Sequence, residues 1–176
     1  MIKHTTCFSG YRPEKFKFEL EDHDPEFFHL QETIRLAVEG TIEGGYRRFL
    51  CGMAAGFDLL CAEVILDLKR YGLIDNDEAW LVAVLPYGEH KVSSAWQPRH
   101  DRVLEAANEV VVVAPKYRPG VYYQRNRYMV EKSYRLICYY DGRRGGTQYT
   151  VRYAENLNLE IINLAEKSDF NVNTKI

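Results

Sequence analysis

Two glycine-bearing segments, Cys51-Gly52-Met53-Ala54-Ala55-Gly56-Phe57-Asp58 and Gly145-Gly146-Thr147, each fall between a predicted strand and a predicted helix. A helix N-terminus presents unpaired backbone N–H groups and a partial positive charge, and glycine lets a phosphate approach that backbone closely. Two such turns point to a nucleotide-like ligand held at the edge of a parallel sheet. Neither is a complete fingerprint. Gly52-x-x-x-Gly56 lacks the Gly-x-Gly-x-x-Gly spacing, and no Lys-Ser/Thr pair follows as in a P-loop. Glycine there serves equally for chain reversal and close helix–sheet packing.

Around these turns stand the other candidates. Asp58 and Glu63 fall on the first turns of the following helix, where Asp58 either touches a ribose hydroxyl or caps the helix. Both are catalytic candidates. Thr147 offers a hydroxyl to a phosphate, with Arg143-Arg144 beside it. Asn126 and Arg127 lie on a tyrosine-rich helix. Tyr87 and Trp96 supply rings for base stacking or for covering the core. His90 and His100 flank the same loose segment and read as ligand-reaching or surface residues. No Ser-His-Asp order or zinc motif can be assembled, so no metal is expected. The four cysteines form no CxxC pair and read as small buried hydrophobes, with Cys51 placed beside the first glycine turn.

The elements that must position these residues follow from pattern. Residues 4–9 read as a short buried strand ending at Ser9-Gly10. Asp24-Pro25 starts a helix, and Leu30, Ile34, Val38 and Ile42 form its apolar face up to the stop at Gly44-Gly45. Tyr46 to Cys51 is the second strand. The next helix carries Leu60, Val64 and Leu68 and ends near Tyr71-Gly72. Ala79 to Leu85 reads as a central strand ended by Pro86. A helix is expected over 99–107, and Glu109 to Val113 is the clearest buried strand of the chain. Residues 122–133 read as helix, 134–140 as strand, 147–156 as helix and 160–164 as a last strand. This alternation predicts a Rossmann-like α/β three-layer sandwich, with a mostly parallel sheet covered by helices on both faces. Ligands in such sheets bind beyond the carboxyl ends of the strands, so Ser9-Gly10, Gly52 to Asp58, Pro86-Tyr87 and Gly145 to Thr147 should share one rim. Residues 1–167 read as one domain and 168–176 as a frayed polar tail.

Composition sets outer bounds. The 176 residues are 46% hydrophobic and 27% charged, ordinary for a globular protein with a real core. No run of about 18 apolar residues exists, so no membrane span is expected. The N-terminus has no signal-peptide core, which makes a cytoplasmic location the default. The net charge of −2 is unevenly spread: Lys116 to Arg152 holds nine basic and two acidic residues, a net +7 against −9 for the remainder. That basic stretch suits phosphates or a solvated face.

Taken in order, Ser9-Gly10-Tyr11-Arg12-Pro13-Glu14, the Cys51–Asp58 turn with Ala62-Glu63, Leu85-Pro86-Tyr87, Arg125-Asn126-Arg127 through Ser133, and Gly145-Gly146-Thr147 through Ala154-Glu155 resemble the YpsA-like family of the SLOG superfamily, relatives of DprA and the LOG proteins. The resemblance implies a Rossmann-like fold that binds nucleotides or nucleotide-derived ligands. Carried over by position, it implies a pocket of Gly10, Arg12, Gly52, Gly56, Asp58, Glu63, Asn126, Arg127, Gly146 and Thr147, with Ser9, Pro86, Tyr87 and Gly145 as further ligand-binding residues at the strand ends. Superfamily relatives often self-associate, which implies a homo-oligomer. LOG-type phosphoribohydrolases follow their Gly-Thr turn with glutamates, whereas Thr147 is followed here by Gln148, Tyr149 and Thr150. Relatives also often carry Ser-Asp where this chain has Ser133-Tyr134.

Three functions compete on this reading. The preferred one is a sensor or regulatory domain binding a nucleotide, ADP-ribose or NAD-derived ligand at the rim. The second is an enzyme cleaving a nucleotide's N-glycosidic bond, with Asp58 or Glu63 as the acid. The third is DprA-like binding of single-stranded DNA by the basic, tyrosine-bearing stretch, which the overall acidity disfavours.

Overall fold

Neighbouring residues in a strand point to opposite faces, and in this chain both faces are apolar. The computed structural model describes residues 4–166, so the expected tail at 168–176 lies outside the described residues. Within them six strands form one all-parallel sheet in the order β4-β3-β2-β1-β5-β6, comprising β1 (His4–Ser9), β2 (Tyr46–Cys51), β3 (Trp80–Tyr87), β4 (Glu109–Ala114), β5 (Arg135–Cys138) and β6 (Glu160–Asn163). Phe8, Phe49, Leu81, Ala83, Leu85 and Ile137 face one core, which α1 (Pro25–Glu43), α2 (Phe57–Arg70) and α3 (Gln97–Ala106) cover. Cys7, Leu50, Val82, Val84, Leu136 and Cys138 face the other, covered by α4 (Val121–Glu131) and α5 (Gly146–Asn156). The expected three-layer sandwich is what forms. No described helix is long and apolar enough to cross a membrane.

Local chemistry explains most boundaries. The Asp24 carboxylate accepts from the Glu26 N–H at 2.9 Å, with Pro25 as the first helical residue of α1. Leu30, Ile34, Val38 and Ile42 are all buried along its inner face.

Three expectations change. β4 is an edge strand rather than the most buried one: Val110 and Val112 are 48% and 47% exposed, while Val111 and Val113 pack on the second core. A run of valines fits burial on both faces, but the strand order leaves this one with a single neighbour. β3 runs through Pro86 to Tyr87, because β2 accompanies it only as far as Ala83. The missing proline N–H therefore interrupts no ladder on that side. β5 is shorter than 134–140.

The order of the strands defines the crevice. From β1 the chain winds outward through β2, β3 and β4 with its helices on one face. It then returns past β1 to β5 and β6 with α4 and α5 on the other face. The carboxyl ends of β1 and β5 flank this switch point, where an open α/β sheet leaves a ligand crevice.

Candidate functional site

The crevice is a cavity of about 550 Å³, lined from β1 and its loop by Ser9, Gly10, Tyr11, Arg12, Glu14 and Lys15. Ala54 and Asp58 line it from the β2–α2 turn, and Tyr122, Tyr123, Arg125 and Asn126 from α4. Arg143, Gly146 and Thr147 close it from the β5–α5 side.

The two glycine turns differ. In the first, the Phe57 N–H already donates to the Tyr11 carbonyl at 3.1 Å. The backbone N–H groups of Ala54 and Gly10 favour the charged form of the Asp58 carboxylate. This helix N-terminus is filled by the protein itself. Gly10 and Gly56 are packing glycines: a Cβ on Gly10 would lie 2.4 Å from the Phe57 ring, and one on Gly56 (φ +92°) 2.5 Å from the Tyr11 carbonyl oxygen. Gly52 has a similar role, since its Cβ would lie 2.8 Å from Asp58 Oδ2 and 2.9 Å from Arg125 Nη1. The second turn is open. Gly145 (φ +148°) leads into α5, a Cβ on Gly146 would meet nothing within 4 Å, and Thr147 begins the cavity wall. Gly145 also lines a smaller depression of about 230 Å³ with Gln148 and Tyr149.

A latch joins the loops after β1 and β5. Tyr11 donates its hydroxyl to Asp141 Oδ1 at 2.5 Å, and Arg143 pairs with Asp141 at 2.9 Å. Arg143 also donates to the Lys15 carbonyl at 2.5 Å, and Lys15 Nζ to the Arg144 carbonyl at 2.5 Å. The Arg143 hydrogen bond holds the Asp141 carboxyl well below the usual carboxylate range.

Two charged groups are buried at the floor, Asp58 and Arg125. Burial pushes the Asp58 carboxyl up to about 6, against the opposing pull of Arg125 and the two backbone donors. Arg125 donates to the Gly52 carbonyl and, through Nε, to Asn126 Oδ1 at 2.8 Å. Tyr122 lies under two cations, with Arg12 at 5.6 Å and Arg125 at 5.8 Å from its ring centre.

Of the residues singled out from sequence, the structure brings Ser9, Gly10, Arg12, Asp58, Asn126, Gly146 and Thr147 to the cavity wall. Glu63 is elsewhere, ion-paired to Arg99 at 2.5 Å. Arg127 is exposed on α4, and the lining includes neither it nor Gly52, Gly56, Gly145, Pro86 or Tyr87. Tyr87 stands behind Tyr122, its ring 6.3 Å away, and Trp96 belongs to the first core. His90 and His100 are buried rather than on the surface, their rings 5.4 Å apart, and burial pushes His90 down to about 4. All four cysteines are buried thiols, and burial pushes Cys51 far above the usual thiol range. Among the described residues, no group of three or more His, Cys, Asp or Glu could hold a metal ion.

Sequence reasoning passed over Tyr11, Tyr122 and the depth of Arg125. A signal existed: Val121, Arg125 and Met129 recur every four residues and are all buried. An arginine within an apolar helical stripe is placed for a reason other than solubility.

Comparison with known proteins places these features in a family. The chain is 30% identical over 149 residues to the SPbeta prophage-derived protein YoqJ of Bacillus subtilis, covering 75% of this chain and 84% of that one. It is 24% identical over 153 residues to a UPF0398 protein of Bacillus pumilus, covering 84% and 80%. Among solved structures, DNA processing protein A of Helicobacter pylori, which has a single-stranded DNA binding mode, superposes with a TM-score of 0.62 at 14% identity, over 94% of this chain and 67% of that one. DprA of Streptococcus pneumoniae gives a TM-score of 0.59 at 15% identity, over 90% of this chain and about half (49%) of the other. At these identities the likeness is one of fold. The model of the YspA SLOG family matches residues 6–167, and the chain belongs to that family.

Proposed function

We propose that this protein binds a nucleotide or nucleotide-derived small molecule in the cavity at the switch point, as a sensor or regulatory domain. The observation that carries the reading is the open N-terminus of α5 at Gly146-Thr147, facing a cavity that Arg12, Lys15, Arg125 and Arg143 also line. Backbone N–H groups, a helix dipole and guanidinium groups together form a phosphate site. The volume of about 550 Å³ suits one nucleotide-sized ligand. Thermal denaturation with AMP, ADP, ADP-ribose and NAD tests it. A ligand at about a hundred times its dissociation constant adds about 2.7 kcal/mol, a rise of roughly 5–10 °C for a chain of this length. No rise with any of the four would overturn the reading.

A second reading, hydrolysis of an N-glycosidic bond, is favoured by Asp58. A buried carboxyl with its pKa near 6 keeps a protonated fraction at neutral pH and can hand that proton to a departing base. Glu63 is held by Arg99 and has no part in it. Free base released from AMP or NAD, and lost in Asp58→Asn, would support turnover. An unchanged substrate pool at high protein concentration would leave binding alone.

A further inference from the structure

We infer that Arg12 is a stacking platform for the planar base of the ligand, not a phosphate contact. This rests on the nucleotide-binding reading and assigns which part of the ligand each end of the cavity takes.

Four cations line the cavity, and three are committed to the protein. Lys15 donates to the Arg144 carbonyl, Arg143 is locked to Asp141, and Arg125 is bonded to Gly52 and Asn126. Those bonds hold Lys15 and Arg143 beside Gly145 and α5, with Lys15 Nζ 2.7 Å from where a Gly145 Cβ would stand. The phosphate end is therefore supplied without Arg12.

Arg12 differs in kind. Among the described residues its side chain has no hydrogen bond and no ion pair. It is exposed and lies over the Tyr122 ring at 5.6 Å. The backbone beneath it is fixed: Arg12 is extended (φ −71°, ψ 160°), as a residue before proline must be, and Tyr11 is anchored by Asp141. A guanidinium is planar and weakly hydrated, and one held within cation–π range of a phenol ring, with no bond of its own to keep, is free to offer a face to an aromatic base. Asn126 stands on the same wall. Its Oδ1 is used by Arg125, which leaves the amide N–H groups to donate to a base edge. The ligand class that follows is a nucleoside phosphate, with its base on Arg12 and its phosphate at α5.

The test is calorimetric titration of the full chain, as wild type, Arg12→Lys and Arg12→Gln, with AMP, ADP and ribose 5-phosphate. Arg12→Lys keeps the charge and loses the plane. It should weaken AMP or ADP roughly ten- to hundredfold, the scale of one base stack, while ribose 5-phosphate changes by less than about twofold. Unchanged melting temperatures for the two variants would confirm intact folds. If Arg12→Lys binds the nucleotides as well as wild type does, and Arg12→Gln loses them together with ribose 5-phosphate, Arg12 is a phosphate contact and the inference falls. Equal affinity of wild type for nucleotides and ribose 5-phosphate would also overturn it, with the site reading intact. Failure of wild type to bind all three overturns the nucleotide reading itself.

Discussion

Asp58 shows how a single residue ties the site to stability. Its carboxyl is buried beside Arg125, and its pKa lies near 6 where an unfolded aspartate titrates near 3.8. Between those values the folded state binds more protons than the unfolded one, so this residue's contribution to stability rises as pH falls from 7 to 4. The full change is about 3 kcal/mol, from roughly 2.2 pKa units at 1.36 kcal/mol each. His90 works in the opposite direction. Its folded pKa near 4 lies below the ordinary 6.5, so its contribution is fully present above 6.5 and is lost as pH falls towards 4. The two nearly cancel in wild type, which makes the difference between proteins the informative quantity. In urea melts, wild type should gain on Asp58→Asn by about 2 kcal/mol on going from pH 7 to pH 4. A pH-independent difference would mean that Asp58 is solvated in the folded protein. The floor of the cavity thus holds a charge at neutral pH that the fold alone does not favour, as is common where a residue is kept for function.

At the scale of elements, what the sequence makes legible is whatever local chemistry decides. The cap at Asp24-Pro25 and the four-residue rhythm of Leu30 to Ile42 mark α1 without reference to the rest of the chain. What it leaves unread depends on neighbours. Val110 to Val113 resemble the interior run of β3, yet β4 has a strand on one side only and turns Val110 and Val112 to solvent. Substituting alanine should separate the two strands. Val84→Ala, in the second core, should cost about 2 kcal/mol, whereas Val112→Ala should cost less than about 1 kcal/mol. Equal losses in denaturant titrations would show that the β4 face is covered in solution. The site follows the same rule. Gly146-Thr147 and Ser9-Gly10 were readable because strand–turn–helix junctions of a parallel sheet share one rim. Arg127, expected at the rim, lies about 200° round the helix from Arg125, and the spacing of Arg125 with Val121 and Met129 is the one local sign that Arg125 is the inward residue. Gly52 and Gly56 carried a ligand-like signature, but backbone and side chains of their own chain fill the space that a phosphate would need.

At the scale of the molecule the question is how the basic segment is used, since a fold shared with DNA processing protein A leaves function to the surface. Of the nine cations between Lys116 and Arg152, Arg125 is buried against Gly52, Arg135 pairs with Glu160 at 2.8 Å and Arg143 with Asp141 at 2.9 Å. Those three hold the fold and the latch together and are not spread along a groove. A cavity of about 550 Å³ has room for one nucleotide-sized ligand, so on the proposed function lengthening a thymidine oligonucleotide from two to ten residues should add little affinity. Salt gives the sharper measure. A single strand that engages six to ten phosphates loses on the order of 10²–10⁴ in affinity between 50 and 200 mM salt. About two phosphate contacts on a single strand predict a loss below about tenfold over the same range. Fluorescence anisotropy of labelled oligonucleotides at the two salt concentrations decides between them. A steep slope that grows with strand length would move the working surface from the cavity to the exposed cations of α4 and α5. A shallow, length-independent slope keeps it at the junction of β1 and β5, where Arg12 and the N-terminus of α5 face the same space.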